Sequence, residues 1–346
     1  MIIARSPLRV SFAGGGSDLP QFYRKYGPGV VVSTAIKKYV YVSISEKFGG
    51  GVSVRYRVHE TPEMASGLKH ALIREALASY CVDTGVEIVV SSDVPARGSG
   101  LGASSAIACA LVAALERYTG GKIPESMDQK EGIANLASYI EMERVGSPIG
   151  KQDHYASAFG GMNRFDFNAD ESVIRMPFES EDFIREIESQ SMLFYLKMEH
   201  EYKGGSGFVQ RILNDQAESM RRMRTTYELQ RDNAMRLWEH MQYEVPERFI
   251  DHVNENWRIK RTTHPDVTNS TIDSVVQRAF KAGATAAKVC GAGGGGFVYF
   301  MVPMMMQDLV RAELSDLLEL ECQFDSEGTK VLFDGGAEMG ALCKKS

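Results

Sequence analysis

The chain opens on an alternation. In Met1–Ala13, M-I-I-A-R-S-P-L-R-V-S-F-A, Leu8, Val10 and Phe12 fall on one face and Arg9, Ser11 and Ala13 on the other, the period-two pattern of a strand. Val30–Glu46 and Gly51–His59 predict two further strands, paired around Phe48-Gly49-Gly50-Gly51. Met64–Cys81 reads as a helix. Val86–Val94 is a short β-branched strand stopped by Pro95. Ile107–Tyr118 is apolar nearly all round and rich in alanine, a buried helix. Glu131–Val145 is helical and ends at Gly146 with Pro148 beyond.

The composition shifts from about Ser191. Met192–Met198 is strand-like, Gly204-Gly205-Ser206-Gly207 is a loop, and Phe208–Met241 is a long charged helical stretch. Its arginines are mixed with acids, which suits a solvated face. Thr271–Ala282 is a helix, Ala286–Cys290 and Phe297–Val302 are strands, and Val331–Phe333 is a last strand. Strands come first, then helices mix in, so the fold class expected is α+β, with helices on one face of the first sheet. A chain of 346 residues is longer than one core usually grows. Two domains are expected, 1–189 and 190–346, with a cleft between them.

The totals exclude more than they assign. A net charge of −6 argues against a general nucleic-acid binder. Five widely spaced cysteines (81, 109, 290, 322, 343) with no C-x-x-C suggest neither a disulfide framework nor a zinc site. No 18-residue apolar run is present, so no membrane partner is expected, and the chain reads as cytoplasmic.

Chemistry concentrates where glycines do. Pro95–Ala106, P-A-R-G-S-G-L-G-A-S-S-A, joins a strand to a helix. Gly98, Gly100 and Gly102 let the backbone curl closely around a ligand, and Ser104 and Ser105 open a helix whose N-terminus favours an anion. The stretch is neither a P-loop, since no Lys follows Gly102, nor a G-x-G-x-x-G dinucleotide fingerprint. It reads as a phosphate cradle. Arg9, just before the Gly14-Gly15-Gly16-Ser17-Asp18 turn, is either an edge charge or a group pointing into a site with Asp18. Glu141 and Glu143 sit in a last helical turn, where negative charge opposes the dipole unless a cation compensates. Asp153 either caps a short helix or is presented at its start as a catalytic carboxylate. Gly291–Gly296 holds five glycines in six residues between two strands, more than a hairpin needs.

Three of these stretches together resemble the GHMP small-molecule kinases: Pro7-Leu8-Arg9-Val10 with its glycine turn, Gly98–Ala106, and Gly291–Phe297. The A-G-G-G-S-D-L-P opening and the G-K-Q-D-H-Y-A-S-A-F-G-G run resemble the heptose 7-phosphate kinase branch, with fucokinase-type domains as near relatives. His154 stands where Gln is commoner, and Gly207 where an Arg is expected. The resemblance implies a two-domain fold and transfer of phosphate from ATP, with Mg²⁺, to the anomeric hydroxyl of a small sugar phosphate, here D-glycero-D-manno-heptose 7-phosphate. A free hexose is the alternative acceptor. A sensor that had lost catalysis is disfavoured by the joint presence of Asp153, Glu141 and Arg9.

The same resemblance implies the site. Asp153 would take or orient the proton of the attacking hydroxyl, and Arg9 would stabilise charge beside it. Pro95, Arg97, Gly98, Ser99, Gly100, Leu101, Gly102, Ala103, Ser104 and Ser105 would hold the nucleotide. Gly15, Gly16, Ser17, Asp18, Gly293 and Gly294 would face the acceptor. Glu141 and Ser104, or its neighbour Ser105, would ligate the metal. Lys37, Lys38 and Arg97 are the candidate groups for a phosphate on the acceptor. A second copy of the chain is left open as a partner.

Overall fold

The computed structural model describes residues 1–95, 98–196 and 216–335. Arg97, the Gly204–Gly207 loop and Cys343 lie outside them. The fold is α+β, as expected, and two sheets organise it. The larger has eight strands: β1 (Ile2–Ala13), β2 (Gly29–Glu46), β3 (Val52–Arg55), β4 (His59–Glu60), β5 (Val86–Ser92), β6 (Met162–Phe167), β7 (Val173–Pro177) and, from the far end of the chain, β12 (Lys330–Asp334). The smaller holds β8 (Ser191–Leu196), β9 (Ala286–Val289), β10 (Gly296–Met301) and β11 (Leu318–Leu320), all antiparallel.

β2 is the spine. Its first half pairs with β6, its second with β5, and most of its length with β1. The expected pairing of Val30–Glu46 with Gly51–His59 does not form. β5 lies between them, antiparallel to β2 and parallel to β3. The Val86–Ser92 run offers Val86 and Ile88 to the core at full burial, and the glycines at 49–51 carry the chain past it. The Met64–Cys81 helix is likewise shorter: one 3₁₀ turn at Ala65–Gly67, then α2 at Ala71–Ser79.

Helices pack on this sheet from both parts of the chain. α3 (Ala103–Tyr118) and the helix Gln216–Met241 both lie against β1 and β2. Ser6 to Val10 are therefore buried in unbroken succession, a run that a sheet covered on one face would not give. Arg9 is covered by Asp153 of the helix Gln152–Phe159 and by the backbone of Gly100 and Leu101. It is 4% exposed.

The smaller sheet lies wholly beyond residue 190, but the larger one also draws a strand from there, and the core is shared. Phe12 of β1 packs edge-on against Phe249 at 4.8 Å and Tyr299 at 5.7 Å, both from the C-terminal half. β12 then returns to the first sheet and pairs antiparallel with β1, Ile2 opposite Asp334. Among the described residues no helix is long and apolar enough to cross a membrane.

One turn fixes the entry to the site. Gly14 has φ +93°, and a Cβ there would lie 1.9 Å from the Val30 carbonyl oxygen. Gly15 next to it has no such backbone contact. Gly14→Ala should therefore cost roughly 2–4 kcal/mol through strain and forced displacement of β2, whereas Gly15→Ala should cost well under half of that. Urea unfolding of both variants against wild type gives the comparison.

Candidate active site

The site is a cleft of about 1340 Å³ between the two sheets. A pocket for one small ligand is usually about 300–1,000 Å³, so this one has room for two. Its walls come from β1, the first glycine turn, the Pro95–Ser105 loop, α5 (Gln152–Phe159), and the C-terminal helices and glycine loop.

At its centre Arg9 forms a fork with Asp153. Arg9 Nε donates to Asp153 Oδ1 and Nη2 to Oδ2, each at 2.7 Å, while Nη1 donates to the Gly100 carbonyl at 2.7 Å. Asp153 is the second residue of α5, after Lys151 at the N-cap, and makes no capping bond. Of its two readings, the cap is thus removed. Its carboxylate keeps about a fifth of its surface exposed, toward the cleft. Arg9 is an edge charge in neither position nor exposure.

The glycine loop enters α3 in a left-handed conformation, with φ +75° at Gly98, Gly100 and Gly102. Gly102 is the N-cap, and no side chain caps it. The first-turn N–H groups of a 16-residue helix are thus left facing the cleft, where an anion would be favoured. Pro95, Ser99, Gly100, Gly102, Ala103, Ser104 and Ser105 line the cleft. Leu101 does not: it is fully buried, and its carbonyl accepts from the Arg9 N–H at 3.0 Å. Leu72, Val94, Pro95 and Ile107 supply an apolar wall beside the loop.

The helix expected at Glu131–Val145 begins at Met127, under a Ser126–Gln129 capping box, and turns into a π-helix at Ile140–Arg144. That wider turn carries Glu141 inward while Glu143 stays exposed. Ser104 Oγ donates to Glu141 Oε1, Ser105 Oγ to Oε2 at 3.0 Å, and His154 Nε2 to Oε2 at 2.8 Å. Burial alone would raise the Glu141 pKa. The bonds from His154, Ser104 and Ser105 outweigh it and leave the carboxyl below its usual range.

At the first glycine turn, Asp18 is buried and accepts from the Gly16 N–H at 2.9 Å, the Gln152 N–H at 3.2 Å and Gln152 Nε2 at 3.0 Å. Burial, followed by the charge of Asp153, raises its pKa to about 6. Gly15, Gly16 and Asp18 line the cleft, joined by Tyr227, whose ring lies against Gly16, and by Gln230.

Five more expected contacts fall elsewhere. Ser17 is fully buried and ties the turn internally, bonding Gly14 and Val30 backbone atoms. Gly293 and Gly294 are buried against Val267, with the Gly294 N–H on the Val267 carbonyl at 2.8 Å. From that loop only Gly291 and Ala292 reach the cleft. The loop's glycines serve its packing on the other loop: a Cβ at Gly291 would meet Gly100 Cα at 2.5 Å, and one at Gly296 the Gly98 oxygen at 2.3 Å. Lys37 and Lys38 lie outside the cleft, Lys38 paired with Glu321.

Lysines that the sequence did not point to take their place. Lys260, at the end of Pro246–Lys260, and Lys288 of β9 both line the cleft. His154, Gln152 and Tyr227 were also missed. His154 and Gln152 flank Asp153 in sequence, the one signal that could have found them. Tyr227 lies in the charged helix and carries no such mark.

Two family models match the chain: the GHMP kinases N terminal domain over residues 64–161 and the GHMP kinases C terminal domain over residues 241–319, together more than half of it. A D-glycero-alpha-D-manno-heptose 7-phosphate kinase of Campylobacter jejuni is 27% identical over 325 residues, 90% of this chain and 92% of the relative. A mevalonate kinase of Methanothermobacter thermautotrophicus is 25% identical over 304 residues, 86% of this chain and 91% of the relative. The fold is that of a solved D-glycero-D-manno-heptose 1-phosphate kinase from Bacteriodes thetaiotaomicron, with TM-score 0.74, 23% identity, and coverage of 97% of this chain and 100% of that one. It is also that of Lactococcus lactis galactokinase complexed with galactose, with TM-score 0.73, 15% identity, and coverage of 96% and 95%.

The buried Asp18 gives the site a pH signature. A carboxyl held at about 6 binds its proton more tightly folded than unfolded, where its pKa is near 3.8. Stability linked to Asp18 is therefore present below about pH 4 and lost as pH rises through 6. The stability of wild type minus that of Asp18→Asn should fall by up to roughly 3 kcal/mol between pH 4 and 7.5. Denaturant unfolding of both proteins at several pH values measures it. A difference that does not change with pH would show that Asp18 ionises normally.

Proposed function

Because this chain belongs to the GHMP kinases and is an ATP-dependent phosphotransferase, we propose that it phosphorylates the anomeric hydroxyl of D-glycero-D-manno-heptose 7-phosphate. The product would be the 1,7-bisphosphate, a precursor for nucleotide-activated heptose. The observation that carries the chemistry is the Arg9 fork, which fixes the Asp153 carboxylate beside the phosphate loop through Gly100. The choice of sugar is supported by the heptose 7-phosphate kinase relative, which aligns along nearly all of its own length.

The residues divide the work of phosphoryl transfer, which is mostly positioning and charge stabilisation. The uncapped start of α3 and the loop backbone hold the nucleotide phosphates. Two of Asp153's lone-pair sites are taken by Arg9, and those facing the cleft accept the hydrogen of the attacking hydroxyl. Asp18 and Gln152, already bonded to each other, hold the sugar's other hydroxyls. Arg9 lies where negative charge grows as the bond to the γ-phosphorus forms. Glu141 with Ser104 and Ser105 is a compact set of hard oxygen donors, which fits Mg²⁺. The ion, when bound, would neutralise charge on the β- and γ-phosphate oxygens. His154 holds the carboxylate in place from behind.

Asp153→Asn should keep the fold and ADP affinity while lowering kcat by roughly 10²–10⁴. Glu141→Gln should lose activity that partly returns as Mg²⁺ is raised, whereas Glu143→Gln, an exposed neighbour, should behave as wild type. An ADP-release assay over the heptose 7-phosphate, the free heptose, mannose and fucose decides the acceptor. Free fucose or mannose matching the phosphorylated heptose in kcat/KM would replace the substrate named here with a free hexose.

A further inference from the structure

Lys288 and Lys260 are amines set into the cleft wall with no carboxylate paired to either among the described residues. Lys288 is 4% exposed. Its Nζ donates to the Ser11 carbonyl and, at 3.0 Å, to the Phe12 carbonyl, both on β1. Lys260 Nζ donates to the Gly291 carbonyl and, at 3.3 Å, to the Val289 carbonyl. Neither forms an ion pair among the described residues. The ionisable groups that act on both are Arg9 and the Cys290 thiol, and Lys260 acts on Lys288 as well. Arg9 is already engaged by Asp153. Each ammonium carries three N–H donors and has used two, which leaves one apiece.

Burying a charge without a counter-charge is costly. Desolvation pulls the Lys260 pKa down to about 8. Lys288 falls to about 7, through burial first and then the neighbouring charge of Lys260. Carbonyl oxygens soften this cost without removing it. Lys260 bonds the carbonyl of Gly291, which packs on Gly100, and both lysines line the cleft, so the spare donors belong to the same chamber as the start of α3.

We propose that Lys260 and Lys288 form a second phosphate subsite, on the C-terminal wall of the cleft and separate from the helix-start cradle. The chemistry is that of a tetrahedral dianion held by two ammonium groups, with the Arg9 guanidinium near it. Two phosphates could supply it: the acceptor's own, in which case the inference rests on the function proposed above, or the γ-phosphate of the nucleotide.

Sulfate is the probe, because its charge does not change between pH 6 and 9. The full chain is first saturated with Mg·ADP to fill the cradle, then titrated calorimetrically with sulfate. Wild type should bind sulfate, and the affinity should weaken as pH rises through 7 to 8 and the lysines lose their protons. Lys260→Met and Lys288→Met should each lose roughly 10- to 100-fold, the share of one charge-assisted hydrogen bond, with ADP affinity unchanged. Lys260→Met leaves the β1 link intact and serves if Lys288→Met does not fold. Sulfate affinity equal in wild type and a folded variant overturns the subsite, as does the absence of sulfate binding to wild type.

Kinetics then name the source. If the acceptor's phosphate sits there, the kcat/KM preference for heptose 7-phosphate over free heptose collapses in the variants. If the γ-phosphate does, kcat falls for both sugars and the preference survives. Sulfate binding that is lost in the variants, in an enzyme that prefers a free hexose, would keep the subsite and discard the heptose phosphate reading alone.

Discussion

A single guanidinium holds the walls of the cleft together. Arg9 leaves β1, reaches Asp153 on α5 with two parallel bonds and Gly100 of the phosphate loop with a third. Three segments far apart in sequence are thereby fixed to one planar group. A lysine could not copy this, since an ammonium has neither the fork nor the rigid spacing of its donors. The guanidinium is also almost dry, so little of its electrostatic strength is spent on water. Position and chemistry depend on the same bonds. Any change that rotates Arg9 moves Asp153 and the phosphate loop together.

Around that group the site is built from backbone meeting backbone. Gly100 lies against Cys290 and Gly291, and Gly296 against Gly98 and Ser99, with the Phe297 N–H on the Ser99 carbonyl at 3.0 Å. Each approach is shorter than a side chain would permit. The two glycine-rich loops therefore form one layer. Charges then alternate on its surface: Asp18, Asp153 and Glu141 stand among Arg9, Lys260 and Lys288. A transferring phosphoryl group needs both signs within a few ångströms, one to guide the attacking hydroxyl and one to absorb the charge.

Much of this could be read in the chain itself. The strand before Pro95, the glycine spacing to 102 and the serines at 104 and 105 carry a local geometry, and local geometry is what sequence encodes most directly. Arg9 and Asp153 were singled out by position, at a strand end and a helix start. The misreadings have one cause, which is that tertiary partners are not written in local patterns. β5 lies between β2 and β3, an order that no local pattern states. Gly293 and Gly294 look like ligand contacts because a glycine run does not say what approaches it. In the same way Lys260 reads as an ordinary helix-end cation. Its meaning comes only from the loop that folds over it.

The antiparallel pairing of β1 with β12 sets a condition on how the chain is made. Ile2 to Arg5 are synthesised well ahead of their partners at 330–334. Until β12 arrives, one edge of the first sheet has unpaired N–H and C=O groups, the surface onto which other strands add. Contacts of such sequence separation also form slowly. The nascent protein thus carries an open seam beside the strand that holds Arg9 until β12 has been made and can close it.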